Sequence, residues 1–184
     1  MKRFGTHHLT ACAVYATMVY AVTLISVKIP APASGQGYIH LGDAFIYAAA
    51  AMLSYYAVFS AVIGSILADL TLGAPVYMPA TAVIKALMVV VFVLIRGRDK
   101  NAGAVRLIAA MSAGALLMAA GYTLYEFALV RLGGMMSAEA AKSYLLVILL
   151  FNAIQGAISV PLGYVIIRAV NIVARRYRRE REGD

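Results

Sequence analysis

Charged residues are scarce in this chain of 184 residues, since aspartate, glutamate, lysine and arginine together make up 13% of it. A typical soluble domain carries about 25% charged residues. Hydrophobic residues make up 63%, and the mean hydropathy is +0.84. A soluble domain of this length could not bury so much apolar surface, whereas a helical bundle in a bilayer exposes it to lipid. The composition therefore excludes an ordinary soluble domain and predicts an all-α integral membrane protein.

Cysteine and histidine are also rare, and several catalytic motifs are missing. The single cysteine, Cys12, excludes an internal disulfide. The three histidines, His7, His8 and His40, do not form an H-E-x-x-H pattern, and there is no paired-cysteine metal motif. The phosphate-binding pattern G-x-x-x-x-G-K-[ST] and the nucleophile pattern G-x-S-x-G are absent as well. We therefore expect neither an ATPase nor another enzyme, and no metal or cofactor.

Polar or glycine- and proline-containing connections divide the chain into six apolar stretches. We expect a single membrane domain over residues 1–184. Its helices are predicted at about 9–29, 39–54, 57–72, 77–95, 105–132 and 142–173, followed by a basic tail at 174–184. The boundary between the second and third helices rests only on Ser54-Tyr55-Tyr56.

The net charge of +8 is concentrated at the ends of the predicted helices. Seven of the sixteen Lys and Arg residues lie in the N-terminal tip and in the tail after Ile172. With six spans, twelve fall on the side of the termini, three (Lys28, Arg131 and Lys142) fall on the other side, and Lys85 lies within a helix. An excess of Lys and Arg marks the cytoplasmic side. We therefore expect six membrane-spanning helices, cytoplasmic termini and no nucleic-acid partner.

Four charged residues of the predicted spans are candidates for a functional position inside the membrane, namely Asp43, Asp69, Lys85 and Glu126. A charge at the centre of a bilayer costs about 2.5–3.5 kcal/mol on insertion scales, so such residues usually face the bundle interior or water. All four fall in the outer half of the predicted bundle, which indicates a polar binding site there. The alternatives are an N-terminal helix charge at Asp43, a structural ion pair between Asp69 and Lys85, and a hydrated interfacial Glu126.

Aromatic and amide side chains repeat at helical spacing around these charges. They are Tyr77, Thr81 and Lys85 on the fourth helix, Tyr122 and Glu126 on the fifth, and Asn152 and Gln155 on the sixth. Aromatic walls with a few convergent polar groups suit a small, flat, polar ligand. The two amides are equally compatible with hydrogen bonds between helices. His40 is expected either to contact the ligand or to cap the second helix.

Small residues recur every four positions on the first helix, at Ala13, Thr17 and Ala21. Such a ladder lets another helix approach closely. It predicts either ordinary packing within the bundle or a docking face for a second membrane protein.

Four segments together carry a family resemblance. They are residues 37–47 (GYIHLGDAFIY), 64–70 (GSILADL), 75–88 (PVYMPATAVIKALM) and 152–156 (NAIQG). In this order and spacing the sequence resembles the substrate-binding S components of energy-coupling factor (ECF) transporters, the vitamin importers of prokaryotes. Two departures are Thr17 in an otherwise alanine-type ladder and Ser54-Tyr55-Tyr56 in place of a Gly-Pro turn.

The resemblance implies a six-helix subunit in the cell membrane of a prokaryote. It implies that one small vitamin binds near the outer face, beneath a loop that includes Gln36. The side chains expected to contact the vitamin are Gln36, His40, Asp43, Tyr77, Thr81, Lys85, Tyr122, Glu126, Asn152 and Gln155. It further implies that the ladder on the first helix docks a transmembrane T component, and that two partner ATPases supply energy. The pattern looks closest to the branch for riboflavin, pyridoxine and hydroxymethylpyrimidine, and we expect a B6 vitamer or a thiamine precursor, with riboflavin possible.

Two other classes of protein stay open at this point. The chain is also compatible with a membrane scaffold or assembly protein that transports nothing and whose buried polar residues are structural. An intramembrane enzyme is the third reading, but no catalytic constellation supports it.

Overall fold

The structure is a computed structural model that describes residues 5–31, 35–97, 102–134 and 136–182. Most of the described chain is helical. In order, the elements are α1 (Thr6–Leu24), β1 (Ser26–Ala31), β2 (Gly35–His40), α2 (Gly42–Leu53), α3 (Ala57–Thr71), α4 (Met78–Arg96), α5 (Ala104–Gly133) and α6 (Ala138–Glu182). Single 3-10 turns at Ser54–Tyr56 and Pro75–Tyr77 precede α3 and α4.

Helix α2 lies at the centre and packs against α1, α3, α4 and α6. Its run of four alanines, residues 48–51, is buried, and such small side chains let neighbouring helices approach closely. A second close approach joins α1 and α3 at Gly64, where an added Cβ would lie 2.5 Å from the backbone oxygen of Ala16. Small residues thus set the spacing of the central helices.

The outer surface of the bundle is apolar. On α5, for example, Leu116 is 72% exposed and Leu124 is 68% exposed. Four segments of the described chain are long and apolar enough to cross a membrane: Gly42–Thr71, Pro75–Arg96, Ala104–Gly133 and Ala138–Tyr177. A surface of this kind is expected where lipid is the solvent.

Six membrane-spanning helices are expected from the sequence, and the described residues contain six α-helices, but not all of them have the length of a span. Helix α2 has 12 residues and α3 has 15, or about 18 and 22 Å at 1.5 Å per residue. Each is shorter than the roughly 30 Å hydrocarbon core. The turn at Ser54–Tyr56, where Ser54 has a φ of 56°, joins them into one long segment.

The first helix is shorter than expected. Continuation to about residue 29 is predicted, but α1 ends at Leu24, and residues 26–31 form strand β1. Strand β1 pairs antiparallel with β2, with Ser26 opposite His40 and Lys28 opposite Tyr38. The alternation of apolar Ile25, Val27 and Ile29 with polar residues is a strand pattern, so the long apolar run conceals a change of period. The paired strands β1 and β2, called the hairpin below, thus occupy the described residues of the connection predicted between the first two helices.

The last helix is longer than expected at both ends. It begins at Ala138, where the backbone N–H of Ala140 donates a hydrogen bond to Ser137 Oγ at 3.3 Å, a typical N-cap. It continues to Glu182 through the segment predicted as a basic tail. Arginine and glutamate favour helix, and Arg176 and Glu180 form an ion pair one turn apart at 3.6 Å.

Candidate functional site

A cavity of about 50 Å³ lies between the β-hairpin, the end of α3, the start of α4 and inner turns of α5 and α6. Seven of the predicted site residues line it: His40, Tyr77, Thr81, Tyr122, Glu126, Asn152 and Gln155. Five further residues complete the lining: Ile29, Gly37, Tyr38, Asp69 and Ile148. Helical spacing on three helices thus converges on one cavity beneath the hairpin.

Asp43 and Lys85 are not among the lining residues, contrary to the expectation that they contact ligand. Lys85 Nζ lies 2.5 Å from Asp43 Oδ1, and the two side chains are 1% and 0% exposed. Lys85 is therefore paired with Asp43 and not with Asp69, the partner considered from the sequence. Burial favours this pairing because each charge cancels the other away from water.

Gln155 joins this ion pair to the hairpin. Its Nε2 donates to Asp43 Oδ2 at 2.8 Å, and its Oε1 accepts a hydrogen bond from the backbone N–H of His40 at 3.1 Å. Both ends of the amide are therefore satisfied by the protein. The side chain connects α6, α2 and β2, which makes Gln155 a positioning residue as well as a cavity wall.

His40 is buried, and its ring is held in one tautomer. The backbone N–H of Gly42 donates to His40 Nδ1 at 3.0 Å, so Nδ1 is the acceptor and the ring proton lies on Nε2. Burial lowers the pKa of His40 to about 4, and the nearby Lys85 charge acts in the same direction, although the Asp43 carboxylate opposes it. His40 is therefore neutral at physiological pH.

The two carboxylates of the cavity are held by phenols. Glu126, which is 1% exposed, accepts hydrogen bonds from Tyr77 and, at 2.7 Å, from Tyr144. Asp69 Oδ1 accepts one from Tyr38. Within the described parts of the chain, no group of three or more His, Cys, Asp or Glu residues is arranged to hold a metal ion. The two carboxylates therefore supply acceptor oxygens to the cavity.

Tyr38 is the most informative residue that sequence reasoning left out of the site. Its pKa is raised by burial and by the Asp69 carboxylate, so the phenol keeps its proton and remains a donor. Its ring lies 5.5 Å from the His40 ring, centroid to centroid. A strand reading of residues 35–40 would have indicated Tyr38, because residues two apart in a strand lie on the same face and His40 was already a predicted site residue.

The rings of the cavity wall meet at angles that leave no flat stack between them. The Tyr77 and Tyr122 centroids are 6.2 Å apart at 71°, and the hydroxyls of Tyr122 and Thr81 are 3.0 Å apart. Tyr125 donates to the backbone oxygen of Val76 at 2.5 Å. These contacts fix the wall formed by α4 and α5.

The remaining predicted residues lie elsewhere. Gln36 belongs to β2, and its side chain lies outside the described residues. Ala13, Thr17 and Ala21 are exposed on α1 and are not among the residues that line the cavity. Ala13 and Thr17 border an apolar groove between α1 and α3.

Comparison with known proteins agrees with this architecture. Residues 3–172 match the family model described as ECF-type riboflavin transporter, S component. The structure is similar to a solved structure of the S component of a bacterial ECF transporter, with a TM-score of 0.68 and 19% sequence identity. The alignment covers 94% of this chain and 98% of the other. A search of curated proteins finds no match.

Proposed function

The chain belongs to the family of S components of ECF-type riboflavin transporters, and from this premise we propose that it captures a vitamin for import. The observation that carries the proposal is the cavity beneath the hairpin, which combines two buried carboxylates, tyrosine walls and the amide of Asn152. Small-molecule sites have this character, with apolar walls and a few convergent polar groups. The family is one of transporter components rather than enzymes.

We propose a topology of six spans with both termini in the cytoplasm of a prokaryotic cell. The distribution of Lys and Arg supports it, with twelve on the side of the termini and three on the other. In this orientation the hairpin and the cavity lie toward the outer face. Cargo would therefore enter from outside the cell.

The proposed partners are a transmembrane T component and two ATPases. The exposed ladder of Ala13, Thr17 and Ala21 on α1 is the proposed docking face for the T component. Small residues permit close helix contacts in a membrane, and the groove beside them is apolar. Thr17 preserves the small surface because its hydroxyl donates to the backbone oxygen of Ala13 at 3.0 Å.

The proposed cargo is a small aromatic heterocycle, either a B6 vitamer or a hydroxymethylpyrimidine-like thiamine precursor. The tyrosine walls with Glu126 and Asn152 suit the ring nitrogen and hydroxyls of such a heterocycle. The cavity of about 50 Å³ is the space of a few water molecules, so its lining must open for any of these cargoes. Riboflavin is the second candidate, because the matching family model carries its name. Its binding would require the hairpin to move.

Calorimetric titration of the purified chain tests the proposal. The panel contains pyridoxine, pyridoxal, hydroxymethylpyrimidine, thiamine, riboflavin, pantothenate, niacin and biotin. One tight ligand at a 1:1 ratio supports capture and names the cargo. A folded protein that carries no prebound ligand and binds no member would favour the membrane scaffold instead.

Two variants test whether the cargo binds in the cavity. Glu126→Gln removes a negative charge from the lining and Asn152→Ala removes an amide, and a hydrogen bond to a charged group contributes about 1.5–3 kcal/mol. We expect affinity to fall about tenfold to a hundredfold. Glu139→Gln, on the exposed first turn of α6, is the matched control and should bind as the wild type does. Wild-type binding by both cavity variants would refute this placement.

A further inference from the structure

The cavity has an imbalance of charge. Its described lining includes two carboxylates, Asp69 and Glu126, and no lysine or arginine. Lys85 lies behind the wall, where Asp43 neutralises it at 2.5 Å. A carboxylate or phosphate on the cargo would need a cation of this kind, and here the cation is already paired.

Three phenols at the cavity donate to its carboxylates, namely Tyr38 to Asp69, and Tyr77 and Tyr144 to Glu126. A carboxylate offers about four acceptor positions, so Asp69 has acceptor positions beyond the one that Tyr38 fills. The Asp69 carboxylate can therefore accept a hydrogen bond from a cargo.

Asp69 Oδ2 is the acceptor that stands out. Asp69 is 2% exposed, and no donor among the residues that the structure describes lies within hydrogen-bonding distance of its buried Oδ2. The hydroxyl of Thr81 is close enough to interact with this carboxylate, but it lies 3.0 Å from the Tyr122 hydroxyl and bonds there. A buried acceptor left unpaired costs about 1–3 kcal/mol, and more when it is charged.

We propose that the cavity selects a cargo that carries a positive charge or clustered N–H and O–H donors, and that Asp69 Oδ2 accepts a hydrogen bond from it. The inference rests on the proposed function and specifies its class of substrate. Vitamins that bear a carboxylate or phosphate are rejected, since their charge would be buried beside two carboxylates, and the described lining holds no lysine or arginine to pair with it. Pantothenate, niacin, biotin and phosphorylated vitamers fall in the rejected class.

Matched ligand pairs test the selection by charge. Pyridoxamine and 4-pyridoxate share a ring and differ in an aminomethyl against a carboxylate group. Riboflavin and riboflavin phosphate form a second pair. In the pair that binds, calorimetry on the full chain should show that pyridoxamine binds at least a hundredfold more tightly than 4-pyridoxate, or riboflavin at least a hundredfold more tightly than riboflavin phosphate.

The outcomes separate this inference from the proposed function. Equal or tighter binding of the anionic member, or tight binding of pantothenate, niacin or biotin, would overturn the charge rule and leave vitamin capture intact. If no member of either pair and no vitamin of the full panel bound, both the charge rule and the proposed vitamin capture would be overturned.

Asp69→Asn tests the named acceptor. The amide keeps an oxygen for Tyr38 but replaces one acceptor oxygen with an NH2 donor. We expect the preferred member of the pair to bind at least tenfold more weakly and the anionic member to weaken less or to gain. The exposed Glu139→Gln is the control, and thermal melting verifies that each variant is folded. Unchanged discrimination in folded Asp69→Asn would refute the role of Asp69.

Discussion

The buried ion pair between Lys85 and Asp43 makes a strong and measurable prediction. Lys85→Met leaves a carboxylate that is 0% exposed without its cation, and Asp43→Leu leaves Lys85 without its anion. Breaking a buried pair by removing one partner costs about 3–5 kcal/mol. Each single variant should therefore be severely destabilised. Lys85→Met also loses the contact of Lys85 Nζ with the Tyr122 ring, whose centroid is 5.4 Å away, and this adds to its destabilisation.

The double variant Lys85→Met/Asp43→Leu should be less damaged than the two single variants combined. Removing both charges leaves no isolated ion, and such replacements are often neutral. One cost remains, because Gln155 Nε2 loses its acceptor at 2.8 Å. An unpaired buried donor costs about 1–3 kcal/mol. The expected interaction energy between the two sites is therefore about 3 kcal/mol or more.

Thermal unfolding in detergent measures this coupling. For a chain of this size, 1 kcal/mol corresponds to roughly 2–4 °C in Tm. Each single variant should lose about 10 °C, and the double variant should recover much of that loss. Additive losses would refute the pairing. So would greater damage from Asp69→Asn than from Asp43→Leu, since that result would make Asp69 the partner of Lys85.

Three further predictions concern the hairpin and the packing around it. Tyr38→Phe removes a hydrogen bond to Asp69 and should weaken cargo binding about tenfold; unchanged calorimetric affinity would contradict it. The pKa of His40 is lowered from 6.5 to about 4, so the folded state favours the neutral ring. Its contribution, about 3 kcal/mol, should be full above pH 6.5 and lost as the pH falls toward 4, and melts of His40→Gln should lack this component. Gly64→Ala puts a Cβ 2.5 Å from a backbone oxygen of α1 and should cost about 1–3 kcal/mol. Gly5→Ala has nothing within 4 Å and changes only the N-cap of α1, so its Tm should fall less.

The helices of the core can be predicted from the sequence because each depends on the pattern of apolar residues within its own segment. Apolar runs and helical spacing bring Tyr77, Thr81, Tyr122 and Glu126 to one cavity. The hairpin was missed because the apolar run of α1 passes into a period-two pattern without a polar break. The apolar run from Leu9 to Ile29 is long enough for a membrane span, although its apolar residues follow a period of two from Ile25 onward.

The pairing of charges could not be predicted from the sequence. Asp43 and Asp69 are both within reach of α4 in a schematic bundle, and helical spacing does not choose between them. The choice depends on how α2, α4 and α6 cross, which brings Gln155 to the second oxygen of Asp43. Likewise, Tyr38 reaches Asp69 only because the hairpin folds over the cavity.

Reconstituted transport tests the central claim most directly. Proteoliposomes would contain this chain with a T component and two ATPases, and uptake of the radiolabelled vitamin identified by titration would be followed. We predict uptake that requires ATP and this chain, and that falls at least tenfold in Glu126→Gln but not in Glu139→Gln. Equal uptake without this chain, or with its cavity variant, would contradict its role as the subunit that captures the vitamin.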